Sequence, residues 1–140
     1  MSGNPKRRAS QLAVGQTHEA LLIEDLSRTQ IAMYAGASGD FNPIHHDELF
    51  AQSAGYPSVF AHGMLSMGLA GRLLTDWLGD GVLREFGVRF VRQVWPGDTL
   101  RGKATVKAVA ADGRVSLEVV ASNQRGEPVI AGEAVALLPA

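Results

Sequence analysis

From His62 to Leu78 the chain reads HGMLSMGLAGRLLTDWL, with no charge before Arg72. Leu65, Leu69 and Leu73 recur every four residues, and Met64, Met67, Ala70, Leu74 and Trp77 fill the neighbouring stripe. A helix that is apolar nearly all round is a buried helix, so the rest of the chain must wrap it. The Met64/Met67 stripe reads as core packing. Gly68 and Gly71 each cost about 1 kcal/mol relative to Ala in a helix interior. Close approach of another backbone would offset that cost.

After the helix the apolar period changes to two. Phe86, Val88 and Phe90 alternate with Gly87 and Arg89. Pro96-Gly97-Asp98 makes a turn. Leu100, Gly102, Ala104, Val106 and Ala108 then alternate with charged and hydroxyl residues, Asp112-Gly113 marks a hairpin, and Val115, Leu117 and Val119 alternate again. Gly126 breaks that strand and 128–138 forms the last one. Hairpin-linked strands imply an antiparallel sheet. One buried helix on one such sheet is an α+β layer architecture.

The first half carries a strand at 17–23. Ser27 with Gln30 forms a capping box, ahead of a helix whose apolar face is Ile31, Tyr34 and Ala35 and which stops at Gly36 or Gly39. A short helix over 47–54 closes at Gly55. With 140 residues, the chain is one domain by size: residues 1–10 read as a disordered leader and 11–140 as the folded unit. Lys6-Arg7-Arg8 has no apolar run behind it, so the leader is no secretory signal.

The sequence excludes several classes of function. Thirteen basic against fourteen acidic residues argue against a nucleic-acid partner. The absence of cysteine removes thiol nucleophiles, disulfide scaffolds and thiolate-held metals, and fits a cytoplasmic setting. No apolar run reaches the roughly 18 residues of a membrane span. There is no G-x-S-x-G elbow, no G-x-G-x-x-G and no P-loop. His45, His46 and His62 match no metal-ligand spacing, so no metal site is expected.

Two polar clusters remain. In 38–47, SGDFNPIHHD, Pro43 lacks an N–H and turns Asn42 away from helix. A turn there can bring Asp40 beside His45, an acid and an imidazole able to converge on one water. The plain alternative is an Asp that caps the turn and a surface histidine. His46 should point elsewhere. In the second cluster, His62-Gly63 precedes the buried helix, whose first amides favour negative charge. A glycine lets a ligand approach them as in an oxyanion hole; an ordinary helix start is the alternative.

Residues 34–45, YAGASGDFNPIH, resemble the hydratase-2 motif of the MaoC-like dehydratases. Residues 61–65, AHGML, resemble that family's second block, and Arg89-Phe90 with 94–100, VWPGDTL, its third. The resemblance spans residues 12 to 139. It implies a hotdog fold, in which a long central helix is wrapped by a curved antiparallel sheet. It also implies reversible syn addition of water to a trans-2-enoyl thioester of coenzyme A or acyl carrier protein, giving the (R)-3-hydroxyacyl thioester, without metal or cofactor. Asp40 and His45 would hold and activate the water, and the Gly63 amide would bind the thioester oxygen. Asn42, Ser38, Gly39, His62 and Met64 would line the substrate site, Asn42 orienting Asp40 or the turn and Ser38 and Gly39 shaping the loop. A homodimer is the implied assembly, a heterodimer the variant. The rival readings are a subunit of a heteromeric dehydratase and a hotdog thioester hydrolase, although no carboxylate lies over 64–71 to serve the latter. Some relatives carry a Ser where this chain has Gly71; Gly68, Ala70 and Gly71 could instead make room for an acyl chain along the helix.

Overall fold

A computed structural model describes residues 3–140. Strand β1 (Thr17–Ile23) leads into helix α1 (Arg28–Ser38). The capping box closes in both directions: Ser27 Oγ accepts from the Gln30 amide, and Gln30 Oε1 accepts from the Ser27 amide. Gly39, at φ 77°, ends α1 in the left-handed conformation that glycine adopts without strain. Helix α2 (Glu48–Ser53) is capped by the Asp47 side chain. Helix α3 (Gly63–Leu78) follows, and then β2 (Leu83–Phe90), β3 (Leu100–Val109), β4 (Arg114–Ser122) and β5 (Pro128–Leu137).

The five strands form one antiparallel sheet in the order β1-β3-β4-β5-β2. Hairpins join β3 to β4 and β4 to β5. The sequence leaves open where β2 goes: it crosses to the far side of β5, pairing Phe86 with Ala134 and Val88 with Gly132. Register shifts between Leu21 and Ile23, Leu83 and Glu85, Val106 and Ala108, and Ala121 and Ser122 bend the strands around α3. Ala70, Leu73, Leu74, Trp77 and Leu78 of α3 pack on Ala104, Val106, Leu117, Val119 and Ile130 of the sheet. This is the hotdog arrangement, an open sheet around a central helix. None of the described helices is long and apolar enough to cross a membrane.

Two expectations about α3 need correction. The helix is not buried all round. Gly63, Met64, Gly68 and Arg72 are exposed, and Met64, expected in the core, is 53% exposed. These positions share one helical face, turned away from the sheet. The close approach also lies elsewhere than expected. A Cβ at Gly68 would meet nothing within 4 Å, whereas one at Gly102 of β3 would meet Leu73 Cδ2 at 2.9 Å. The sheet glycine, not the helix glycine, lets the two layers meet.

The stretch read as a leader also differs from expectation over 3–10. The Asn4 side chain bonds Asp76 and Asp80, Arg7 Nε donates to the Trp77 carbonyl at 2.7 Å, and the Arg7 amide donates to the Leu78 carbonyl. Helix C-termini carry unsatisfied carbonyls and negative potential, which a cation complements; this basic segment supplies it. Ala9 is buried in the core. The part of the leader at residues 1 and 2 lies outside the described residues.

Candidate active site

The first cluster is built by short polar side chains that each hold an amide two residues ahead. Ser38 Oγ accepts from the Asp40 amide at 3.2 Å, Asp40 Oδ1 from the Asn42 amide at 3.3 Å, and Asn42 Oδ1 from the Ile44 amide at 3.1 Å. Such residues form these local turns readily. Pro43 opens a single 3-10 turn that points His45 inward. The sequence alternative of a turn-capping Asp is therefore half true. Oδ1 of Asp40 caps the turn, and Oδ2 lies 4.0 Å from His45 Nε2.

His45 is no surface histidine. It is 7% exposed, and its Nδ1–H donates to the Phe60 carbonyl at 2.6 Å. A carbonyl can only accept, so this bond fixes the tautomer. The neutral ring keeps its proton on Nδ1 and offers the Nε2 lone pair toward Asp40. Burial pushes the His45 pKa below its ordinary value, partly countered by the Phe60 carbonyl. His46 is exposed and bonds the Phe41 carbonyl, away from the pair as expected.

The second cluster faces the first. The Ala61 amide bonds the Val94 carbonyl, and α3 starts at Gly63. A Cβ on Gly63 would meet the Phe90 ring at 2.9 Å, so any larger residue at the helix start must push that ring aside. Asp40, His45, Gly63, Ser66 and Phe90 share one cavity of about 350 Å³ with Arg92 and neighbouring residues.

Among the residues expected at the substrate, His62 and Met64 border this cavity, whereas Ser38, Gly39 and Asn42 do not. The side chains of Ser38 and Asn42 are spent on the loop. Gly71 is also outside it: a Cβ there would touch the Phe86 ring at 3.4 Å. The free space lies instead between the α3 start, Phe90 and residues 91–94. Sequence reasoning missed Ser66, which is buried at the cavity. Its signal was available, since it is the one hydroxyl in the first turns of an apolar helix.

Oxygen and nitrogen donors of Asp40, His45 and His62 lie within 4.8 Å of one another. Ligands of one tetrahedral zinc stand only about 3.4 Å apart, given bonds of about 2.0–2.1 Å. At 4.0 Å, Asp40 Oδ2 and His45 Nε2 are spaced to share one water.

The profile of the MaoC like domain matches residues 9–127. The chain belongs to the MaoC-like family. This MaoC-like chain is 31% identical over 129 residues to the (R)-specific enoyl-CoA hydratase of Rhodospirillum rubrum, a match covering 91% of the chain and 90% of that enzyme. It is 40% identical over 87 residues to 3-hydroxyacyl-thioester dehydratase Y of Mycobacterium tuberculosis, covering 59% of the chain. It spans less than a third of the length of that dehydratase and of other curated relatives. Among solved structures it is similar to the R-hydratase PhaJ1 of Pseudomonas aeruginosa. The TM-score is 0.88 at 30% identity, over 99% of this MaoC-like chain and 89% of that one.

Proposed function

We propose that the chain is a hydro-lyase that reversibly hydrates a trans-2-enoyl thioester to the (R)-3-hydroxyacyl thioester. The observation that carries this reading is the pair of acceptors, Asp40 Oδ2 and the His45 Nε2 lone pair, 4.0 Å apart at the mouth of a cavity that also holds a helix start. Two acceptors at that separation fit one water that donates a hydrogen to each. Its oxygen is then free to add to C3.

The proton balance follows from the tautomer. The member that accepts the water's proton, Asp40 Oδ2 or His45 Nε2, is then the one that holds a proton to give, and its delivery to C2 as the hydroxyl adds to C3 restores both acceptors. As C2 becomes nucleophilic, negative charge gathers on the thioester oxygen. The Gly63 amide, at the positive end of α3, receives that oxygen. A donor so placed is worth roughly 3–4 kcal/mol of transition-state stabilisation. The reading needs neither metal nor redox group. Coenzyme A and acyl carrier protein both remain within the proposal as carriers.

Edge-to-edge dimers through β2 belong to the same proposal. Within the described chain β2 pairs only with β5, and an open edge is a template for another strand. The cytosol is the proposed location.

Hydration of crotonyl-CoA, read by loss of the enoyl-thioester absorbance, tests the reaction. Wild type should turn over and give the (R)-product, and Asp40→Asn should be slower by about a hundredfold. Folded protein that consumes no enoyl-CoA of any length and no enoyl-acyl-carrier substrate would sink the proposal.

A further inference from the structure

His62 stands as a substrate-site residue in the sequence reading and borders the cavity, and its contacts also run to the acid/base pair. It is 2% exposed. Its Nε2–H donates to the backbone carbonyl of Asp40 at 3.1 Å. Its ring stacks on His45 with centroids 3.8 Å apart and planes 26° apart, and Tyr34 packs against it at 4.8 Å. Its Nδ1 is buried without a partner, and it makes no cap bond to α3. Nε2 is therefore committed to the chain itself, while Nδ1 has no partner among the described residues.

Buried polar atoms are nearly always paired, and an orphan calls for a reason. Here the bond to Asp40 puts the proton on Nε2, which leaves Nδ1 as a bare lone pair. The face of the ring lies against His45, so it limits how far the imidazole of His45 can tilt. His62 also joins the two motifs, since it immediately precedes α3 and its Nε2–H holds the Asp40 carbonyl, 22 residues earlier.

We propose that His62 is a positioning residue for the acid/base pair: its Nε2–H fixes the backbone of Asp40 while its ring face supports His45, and together they set the gap in which the water sits. This rests on the hydratase reading but has a readout that does not.

Two variants divide the roles. His62→Gln keeps an N–H near Nε2 and removes the ring; His62→Phe keeps a ring and removes the donor. Each is measured for kcat and KM on crotonyl-CoA, for melting temperature, and for the midpoint of His45 by NMR titration of its ring carbons. The ionisable groups around His45 are Asp40, His46 and His62, with Arg92 across the cavity. Both folded variants should lose at least about tenfold in kcat, with KM within about twofold of wild type, as expected when a group acts on the transition state alone. In His62→Gln the His45 midpoint should move by about half a unit or more, because its packing and desolvation change. A rise in KM at constant kcat would return His62 to the substrate site and overturn the proposal. So would an unmoved midpoint in His62→Gln, whether or not wild type turns over. An inactive wild type whose His45 midpoint shifts in His62→Gln would instead fail the hydratase reading and leave the positioning role standing.

Discussion

Gly63→Ala separates the chemistry of the helix start from its packing. The added methyl would sit 2.9 Å from Cδ1 and Cε1 of Phe90 and 3.3 Å from its Cγ. Ordinary carbon contacts need about 3.5–4.0 Å, so the ring must retreat by somewhat under 1 Å. Phe90 is 55% exposed and has room to do so. Alanine also favours helix over glycine by up to about 1 kcal/mol. The two effects nearly cancel, and the melting temperature should stay within about 4 °C of wild type. Catalysis has no such compensation. The methyl projects beside the amide that is to receive the thioester oxygen, in the space that oxygen needs. Losing that contact costs roughly 3–4 kcal/mol, or about two to three powers of ten in kcat. Steady-state hydration of crotonyl-CoA by Gly63→Ala, Phe90→Ala and the double variant measures it. If the methyl itself blocks the amide, removing the ring restores little, and the double variant stays near Gly63→Ala. If ring displacement is the cause, the double variant behaves like Phe90→Ala. A Gly63→Ala enzyme within twofold of wild type would refute the assignment of negative charge to this amide.

Three further outcomes are expected. His45→Gln should lose about as much kcat as Asp40→Asn, about 10²-fold, and the double variant little more than either, because a proton relay fails as a unit; independent, multiplying losses would contradict the shared water. Burial lowers the pKa of His45, and burial followed by Arg7 lowers that of His18, from 6.5. The active, neutral form of His45 should therefore persist below pH 6.5, and kcat/KM should fall only on further acidification. For stability the unfolded chain binds more protons than the native one in that window, so the contribution is whole above pH 6.5 and is lost as pH falls through the native pKa values; melting curves should flatten against pH in His18→Gln and His45→Gln. Finally, Gly132→Ala in β5 would drive a methyl onto the Gly87 carbonyl oxygen and to 2.7 Å from Val88 Cα. Both belong to backbone that cannot swing aside, so urea unfolding should show a loss of about 3 kcal/mol or more; an unchanged midpoint would contradict the β2–β5 register.

Local chemistry was legible in the sequence wherever a side chain answers to its near neighbours. The Ser27/Gln30 box, the stop narrowed to Gly36 or Gly39, the Asp112-Gly113 hairpin and the Asp40–His45 turn all depend on residues within about five positions. The stripe of leucines located α3 for the same reason. What escaped depends on distant partners. Nothing in Leu83–Phe90 tells that strand to pair with β5 rather than β3. Arg7 looks like a solvated charge until the end of α3 is placed beside it. The ring of Phe90 and the role of His62 arise from contacts across the fold, and Met64 reads as core because hydropathy cannot tell which face of a helix the sheet leaves open.

The strand order has a consequence for how the protein is made. Both polar motifs and α3 lie before residue 79, yet among the described residues β2 has a single partner, β5, which begins at Pro128. During synthesis α3 and β2 emerge long before the strand that holds β2 in place. The wall of the cavity that includes Phe90 closes only when the final strand docks. Until then the apolar stripe of α3 is a surface for chaperones or for aggregation. The order of assembly makes the last strand the checkpoint for the site, so a nascent chain stalled before residue 128 would carry its acid/base loop and lack the wall opposite it.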